Sequence, residues 1–186
     1  MAKTYEKVDG KVKMTKSYNQ WFDMIQRATS SRVKASRPNY AETTIHADWL
    51  DFNVWLAWAE TQVGFNELDS KGKVFQIDKD LKGGSTNHYS PDTCVFLPAE
   101  INKALIISCK GFQKLPNGKY RSVGFCKGKQ KSLGCFDTQD QAAMALAEYR
   151  KDILLELVEA YKPLLDSNTY SLLIEYDFFT AIRGTY

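Results

Sequence analysis

The amino-acid sequence predicts an α+β protein in two parts, and three patterns predict it. Aromatic and aliphatic residues recur at helical spacing in the first third of the chain. A strand, a polar loop, a second strand and a helix follow one another from Val74 to Leu105. Three strand-length runs joined by tight turns then lead into a long helix after Thr138. The 186 residues suffice for one large domain or two small ones, and a 44% hydrophobic, 13% aromatic composition is ample for packed cores.

The elements follow in order. Residues 1–16 hold five lysines and two acids without a helical apolar period, and read as a flexible basic arm. A helix opens with Ser17 as N-cap, and Tyr18, Trp21, Phe22 and Ile25 form its apolar face. Arg27, Arg32, Lys34 and Arg37 lie in a Ser-rich connection, as phosphate contacts or as a solvated loop. Thr43 to Ile45 reads as a short strand and His46 as a structural histidine. Asp51 to about Glu60 is a second helix, with Trp49, Phe52, Trp55 and Ala59 on one side and Leu56 and Trp58 broadening that face. Gly64 to Gly72 is a polar linker.

The stretch Val74–Leu105 organises the rest. Val74, Phe75 and Ile77 open an apolar run that ends at Asp78 and Asp80, which alternate along a strand and so share a side. Two carboxylates on one side are costly unless a cation or hydrogen bonds offset them. A divalent metal, or a solvent-facing pair that caps the following loop, would each do so. Gly83 to Asn87 supply turn chemistry. His88 lies in that loop, either exposed or reaching in as a base, and Ser90-Pro91-Asp92 forms a turn. Cys94 to Leu97 is the second strand, Pro98 opens a helix that Ile106 and Ile107 extend, and Asn102 lies on it as a metal ligand or as a tie to the loop.

Beyond Lys110, three strands are expected at Gly111–Leu115, Tyr120–Cys126 and Gln130–Phe136, with turns at Pro116-Asn117-Gly118 and Lys127-Gly128-Lys129. Thr138 and Gln141 form a T-x-x-Q capping box, and Ala142, Ala143, Leu146 and Tyr149 seat the following helix on a thin sheet. Pro163 ends that helix, and Asp166 to Tyr176 reads as a short closing helix. Lys110, Lys114, Lys119, Arg121, Lys127, Lys129 and Lys131 are unaccompanied by any acid between 110 and 131, whereas the rest of the chain carries 18 basic and 22 acidic residues. Such asymmetry points to a polyanion. Alternation places Lys119 and Arg121 with Lys129 and Lys131 on the face that the helix leaves free, a ribbon suited to the major groove of double-stranded DNA.

The four cysteines at 94, 109, 126 and 135 fit neither a zinc knuckle nor a disulfide framework and read as reduced thiols. No run approaches the roughly 20 apolar residues of a membrane helix, and the polar start carries no secretory core. A soluble, cytoplasmic protein without a membrane partner is expected.

The order IDKD, YSPDTC, F-x-P and IN within this stretch resembles the HNH-endonuclease-like proteins of bacteriophages. NYAETTIHADWLDFNVWLAWAE resembles the segment that precedes their nuclease motif. GKYRSVGFCKGKQKSLGCFDTQDQAAMALAEYR resembles their C-terminal module of the plant ethylene-response-factor (APETALA) type. The resemblance covers roughly Tyr18 to Arg150 and implies N-terminal helices plus a ββα-metal (HNH-like) domain over 17–108. It further implies a three-stranded sheet packed on a helix, a DNA-binding module over 109–186. It also implies Mg2+ or another divalent cation on Asp78, Asp80 and Asn102, and a site in the host-cell cytoplasm. Gln76 stands where the family has its general-base histidine and Thr93 where it has an asparagine, so Asp78 with His88 as substitute base is the catalytic expectation. Three readings follow: a metal-dependent DNA endonuclease, an inactive DNA-binding protein on the same scaffold, and an accessory protein that binds a host protein through a tryptophan-rich patch.

Overall fold

Tyr5–Val8 (β1) and Lys11–Met14 (β2) pair as an antiparallel hairpin where a flexible arm is expected. Asp9 and Gly10 explain the difference: their φ angles of 51° and 77° are those of a two-residue turn that an Asp-Gly dipeptide enters with little strain. The computed structural model describes residues 2–107, 111–126 and 128–186. The chain divides into two units, Met1–Ala99 with Leu164–Asp166, and Glu100–Pro163 with Ser167–Tyr186. The division falls nine residues before the expected boundary at 108, inside a helix that the sequence reading assigns whole to the first domain.

In the first unit, Lys16–Thr29 (α1) starts one residue before the expected N-cap, because Thr15 rather than Ser17 accepts the Tyr18 N–H at 3.2 Å. The supposed Ser-rich connection is mostly helical: α1 runs to Thr29, and Ser30 caps a second short helix, Ser31–Ser36 (α2). Thr44–Ile45 (β3) follows, then Phe52–Ala59 (α3), which Asp51 caps by accepting the Asn53 N–H at 2.7 Å. Gln76–Asp78 (β4) leads into one helical turn, Asp80–Gly83 (α4). His88–Tyr89 (β5) pairs in parallel with β3, a contact across 44 residues that local patterns do not announce. Val95–Leu97 (β6) pairs antiparallel with β4, as expected.

Aromatic packing fills the core of this unit. Trp49 and Trp55 are 1% and 0% exposed and Trp58 is half-buried, so two of the three tryptophans of the patch expected to meet a host protein are interior. The Trp55 ring meets Phe65 edge-on, Phe65 meets Phe96 at 5.2 Å between centroids, and Phe96 also meets Trp58. The Trp21 indole N–H donates to the Trp49 carbonyl at 2.8 Å, satisfying the polar end of a ring otherwise buried in apolar contact.

Ala99–Leu105 (α5) follows Pro98, and Ile106 and Ile107 do not extend it. In the second unit, Phe112–Lys114 (β7), Tyr120–Cys126 (β8) and Lys129–Phe136 (β9) form an antiparallel sheet in that order. Gln139–Tyr161 (α6) backs the sheet behind the expected capping box, in which Thr138 accepts the Gln141 N–H at 3.2 Å and Gln141 accepts the Thr138 N–H at 3.2 Å. Ala142, Ala143 and Leu146 are buried on its sheet side. Two helices close the unit, Ser167–Glu175 (α7) and Phe178–Arg183 (α8), the latter not resolved by the sequence pattern. The Lys151 ammonium ties them to α6 by donating to the Ile174 and Tyr176 carbonyls at 2.6 and 2.9 Å. None of the helices formed by the described residues is long and apolar enough to cross a membrane.

The close seat of α6 rests on two missing side chains, since a Cβ at Gly111 would lie 2.1 Å from Leu146. A Cβ at Gly124 would lie 2.1 Å from the Tyr149 ring, where no real contact is found. Gly124→Ala is therefore expected to destabilise the protein by about 1–3 kcal/mol through forced repacking. Urea unfolding checks it; an unchanged midpoint would show that the ring moves freely.

Candidate functional site

Two clusters answer to the predicted site residues, one in each unit. In the first unit, β4 ends at Asp78, and Asp80 is not on that strand but opens α4. The expected alternation of the two carboxylates along one strand is thereby corrected. Asp78 turns the chain instead: its Oδ1 accepts the N–H groups of Asp80 at 3.0 Å and Leu81 at 2.8 Å, satisfying donors that a helix start leaves bare. Burial raises the pKa of this carboxyl above its ordinary 3.8, partly opposed by the Leu81 N–H.

Lys79 supplies the positive charge of this turn. Its side chain is only 4% exposed, and its ammonium donates to the Asp80 carboxylate and, at 2.9 Å, to the Asn87 side-chain oxygen. The same ammonium sits 5.8 Å from the centre of the Tyr89 ring. His88 lies on β5 rather than in an open loop, and its Nδ1 meets the Thr44 hydroxyl at 2.8 Å. Thr93 braces the intervening turn, donating to the His88 carbonyl at 2.5 Å and accepting the Ser90 N–H at 3.1 Å. Buried Cys94 ends the turn, its thiol pushed up to about 12 by burial. Gln76 is exposed on β4 opposite Leu97. Asn102 is half-buried on α5.

Each of these donors already has a partner within the chain. Asp78 is committed to two backbone N–H groups, Asp80 to an ammonium and His88 Nδ1 to a hydroxyl. Among the described residues no three His, Cys, Asp or Glu side chains converge as a metal site. Sequence reading overlooked Lys79, although a lysine between two aspartates is itself a visible signal of charge compensation within the turn.

In the second unit, the sheet presents one face to α6 and one away from it. Register pairs Arg121 with Cys135 and Gln113, and Ser122 with Gly134 and Phe112. Next, Val123 pairs with Ser132, so Leu133 is left over as a bulge. The extra residue reverses the alternation beyond it. Lys131 pairs with Gly124 and Lys129 with Cys126, on the α6 side, and the Lys131 ammonium lies 5.3 Å from the centre of the Tyr149 ring on α6. The expectation that Lys129 and Lys131 share the free face with Arg121 is thus corrected.

The free face instead carries Gln113, Arg121, Val123, Phe125, Gln130 and Ser132, with Phe125 60% exposed. Lys119 precedes β8 and pairs with Asp137 at 2.9 Å, both side chains exposed. Lys114 lies over Tyr120 on the α6-side register. Lys110 and Lys127 fall outside the described residues. The result is a face with one guanidinium, two amides and apolar side chains.

Comparison with protein-family models, with curated proteins and with solved structures finds no match to this chain.

The Asp78 geometry sets a pH test. A carboxyl with a raised folded-state pKa makes the folded state hold more protons than the unfolded one, so stability falls as pH rises from 3.8 through that raised value. Asp78→Asn keeps an acceptor oxygen without the charge, and its stability relative to the parent is expected to rise across that window. Asp78→Ala orphans two N–H groups and is expected to cost about 1–3 kcal/mol. Thermal melts from pH 3 to 8 measure both; parallel curves for parent and Asp78→Asn would refute the buried-charge account.

Proposed function

We propose that this protein binds double-stranded DNA through the free face of its three-stranded sheet, with the first unit as an HNH-like scaffold. The single observation that carries the reading is the acid-free basic stretch 110–131 combined with a sheet whose other face is taken by α6. Its residue types match the chemistry of base edges in the major groove. Arg121 has the fork that meets guanine, Gln113 and Gln130 have the amide that meets adenine, and Val123 and Phe125 can touch thymine methyl groups. The lysines of the same stretch suit phosphates, which position a protein on the duplex without reading sequence.

A second reading, metal-dependent phosphodiester hydrolysis by the first unit, draws on a different observation: a buried carboxylate at Asp78 one turn from Asp80, in the strand order that the resemblance implies. Within the first unit it would assign Mg2+ or a similar ion to Asp78 and Asp80 and the base to His88. Those donors already hold other partners, so the scaffold reading is preferred.

Duplex binding measured between 50 and 300 mM salt is expected to weaken steeply with salt, by a slope of about −0.9 per phosphate contacted. Arg121→Ala should cost about 1–3 kcal/mol on a preferred sequence and narrow the gap to other sequences. Binding without salt dependence would sink the proposal. Plasmid incubated with Mg2+ or Mn2+ is expected to stay supercoiled; nicking that disappears in Asp78→Ala would instead establish the nuclease.

A further inference from the structure

The chain has a second basic stretch without acids. Between Met24 and Ala41 stand Arg27, Arg32, Lys34 and Arg37, and no Asp or Glu. These four and the seven of 110–131 leave 14 of the 25 basic residues for the remainder, against all 22 acidic ones. Positive charge is therefore held in two places, and the first is not part of the sheet.

In the first unit, these residues do not form a featureless solvated face. The bend from α1 into α2 shapes a groove of about 530 Å³ lined by Arg27, Arg32 and Arg37 with a single acid, Asp23. The three guanidinium groups differ in how they are held. Arg27 is half-buried beside the Tyr89 hydroxyl, with its guanidinium carbon 5.6 Å from the Tyr40 ring centre, so its charge is pre-positioned at the groove. The Arg32 and Arg37 guanidinium groups are exposed and have no hydrogen-bond or ion-pair partner among the described residues. Lys34 is turned elsewhere, donating to the Thr43 carbonyl at 2.9 Å. Ser30 accepts the Val33 N–H through its hydroxyl, which keeps its own proton to donate.

Two unpaired arginines and one braced arginine around a concave, polar space form a receptor for a multiply oxygenated anion, since the guanidinium fork matches phosphate and carboxylate oxygens. Fixing Arg27 against two tyrosines lowers the ordering cost that flexible surface lysines would carry. We infer that this groove holds a backbone phosphate of nucleic acid, giving the first unit a DNA contact of its own. The inference rests on the DNA-binding reading above. It favours phosphate over an acidic peptide because the chain's other acid-free basic stretch is the one proposed above to meet DNA.

The test uses the full chain and a labelled 20-base-pair duplex, comparing the parent with the Arg32→Ala/Arg37→Ala double variant. Both positions are exposed, so folding is preserved, and circular dichroism confirms it. The expected result is a salt slope shallower by about 2, with affinity at low salt reduced alike on all sequences. Arg32→Lys/Arg37→Lys keeps the charge and should restore most of the slope. An unchanged slope in a parent that binds DNA overturns the groove while leaving the sheet reading intact. A parent that binds no duplex overturns both. Capture of a fluorescent oligoglutamate peptide by the parent, lost in the double variant while the DNA slope is unchanged, identifies an acidic-peptide site and also overturns the inference.

Discussion

A sheet of three strands has two faces, and in the second unit the seat of α6 against Gly124 uses one of them. Which side chains of that sheet meet solvent follows from this apposition. The helix can come close because Gly124 has no side chain and because Ala142 and Ala143 present so little on the opposing surface. A thin sheet backed this tightly keeps its remaining face flat and open, and short strands alone would not hold it. Arg150 adds to the clamp by donating to the Ala104 carbonyl at 2.9 Å and to that of Ile106, tying the end of α5 to α6.

The bulge at Leu133 then decides what the open face says. Without it, alternation would carry Lys129 and Lys131 round to join Arg121 beside Val123 and Phe125, making a more cationic surface. With it, the lysines pass to the α6 side, and the face combines a guanidinium with amides and an exposed phenylalanine. A uniformly cationic face would serve any polyanion; a mixed one has the donors and acceptors that distinguish one base pair from another. Among the described residues of the basic stretch, Arg121 is the one that the strand register places on this mixed face.

Most of the architecture was legible because it is local. Helical spacing of Tyr18, Trp21, Phe22 and Ile25, the T-x-x-Q box at Thr138, and the short apolar runs at Val95–Leu97 and Tyr120–Cys126 each signal their element within a few residues. What escaped reading depends on partners distant in the chain or on one residue too many. The β3–β5 pairing joins Thr44 to His88, and no periodicity within either segment reports it. The bulge is a register event, invisible until both strands are paired. The hairpin at the start was a different failure: Asp9-Gly10 announces it, but the lysines around it read more loudly as a solvated arm.

The candidate site in the first unit was legible in composition and not in arrangement. Asp78, Asp80 and His88 are near one another in sequence and chemically apt, yet each is committed to a local task. Asp78 starts a helical turn, Asp80 pairs with Lys79, and His88 joins two strands through Thr44. The difference comes from a single step of chain direction. Had the strand continued two residues, the carboxylates would have faced one side and needed a cation from outside. Because the chain turns at Asp78, the cation is Lys79, supplied from within and almost fully buried. The buried ammonium offsets the Asp80 charge from within the turn, while Asp78 is met by two backbone N–H groups. In such a unit the unpaired positive charge lies elsewhere, on Arg32 and Arg37 at the α1–α2 bend.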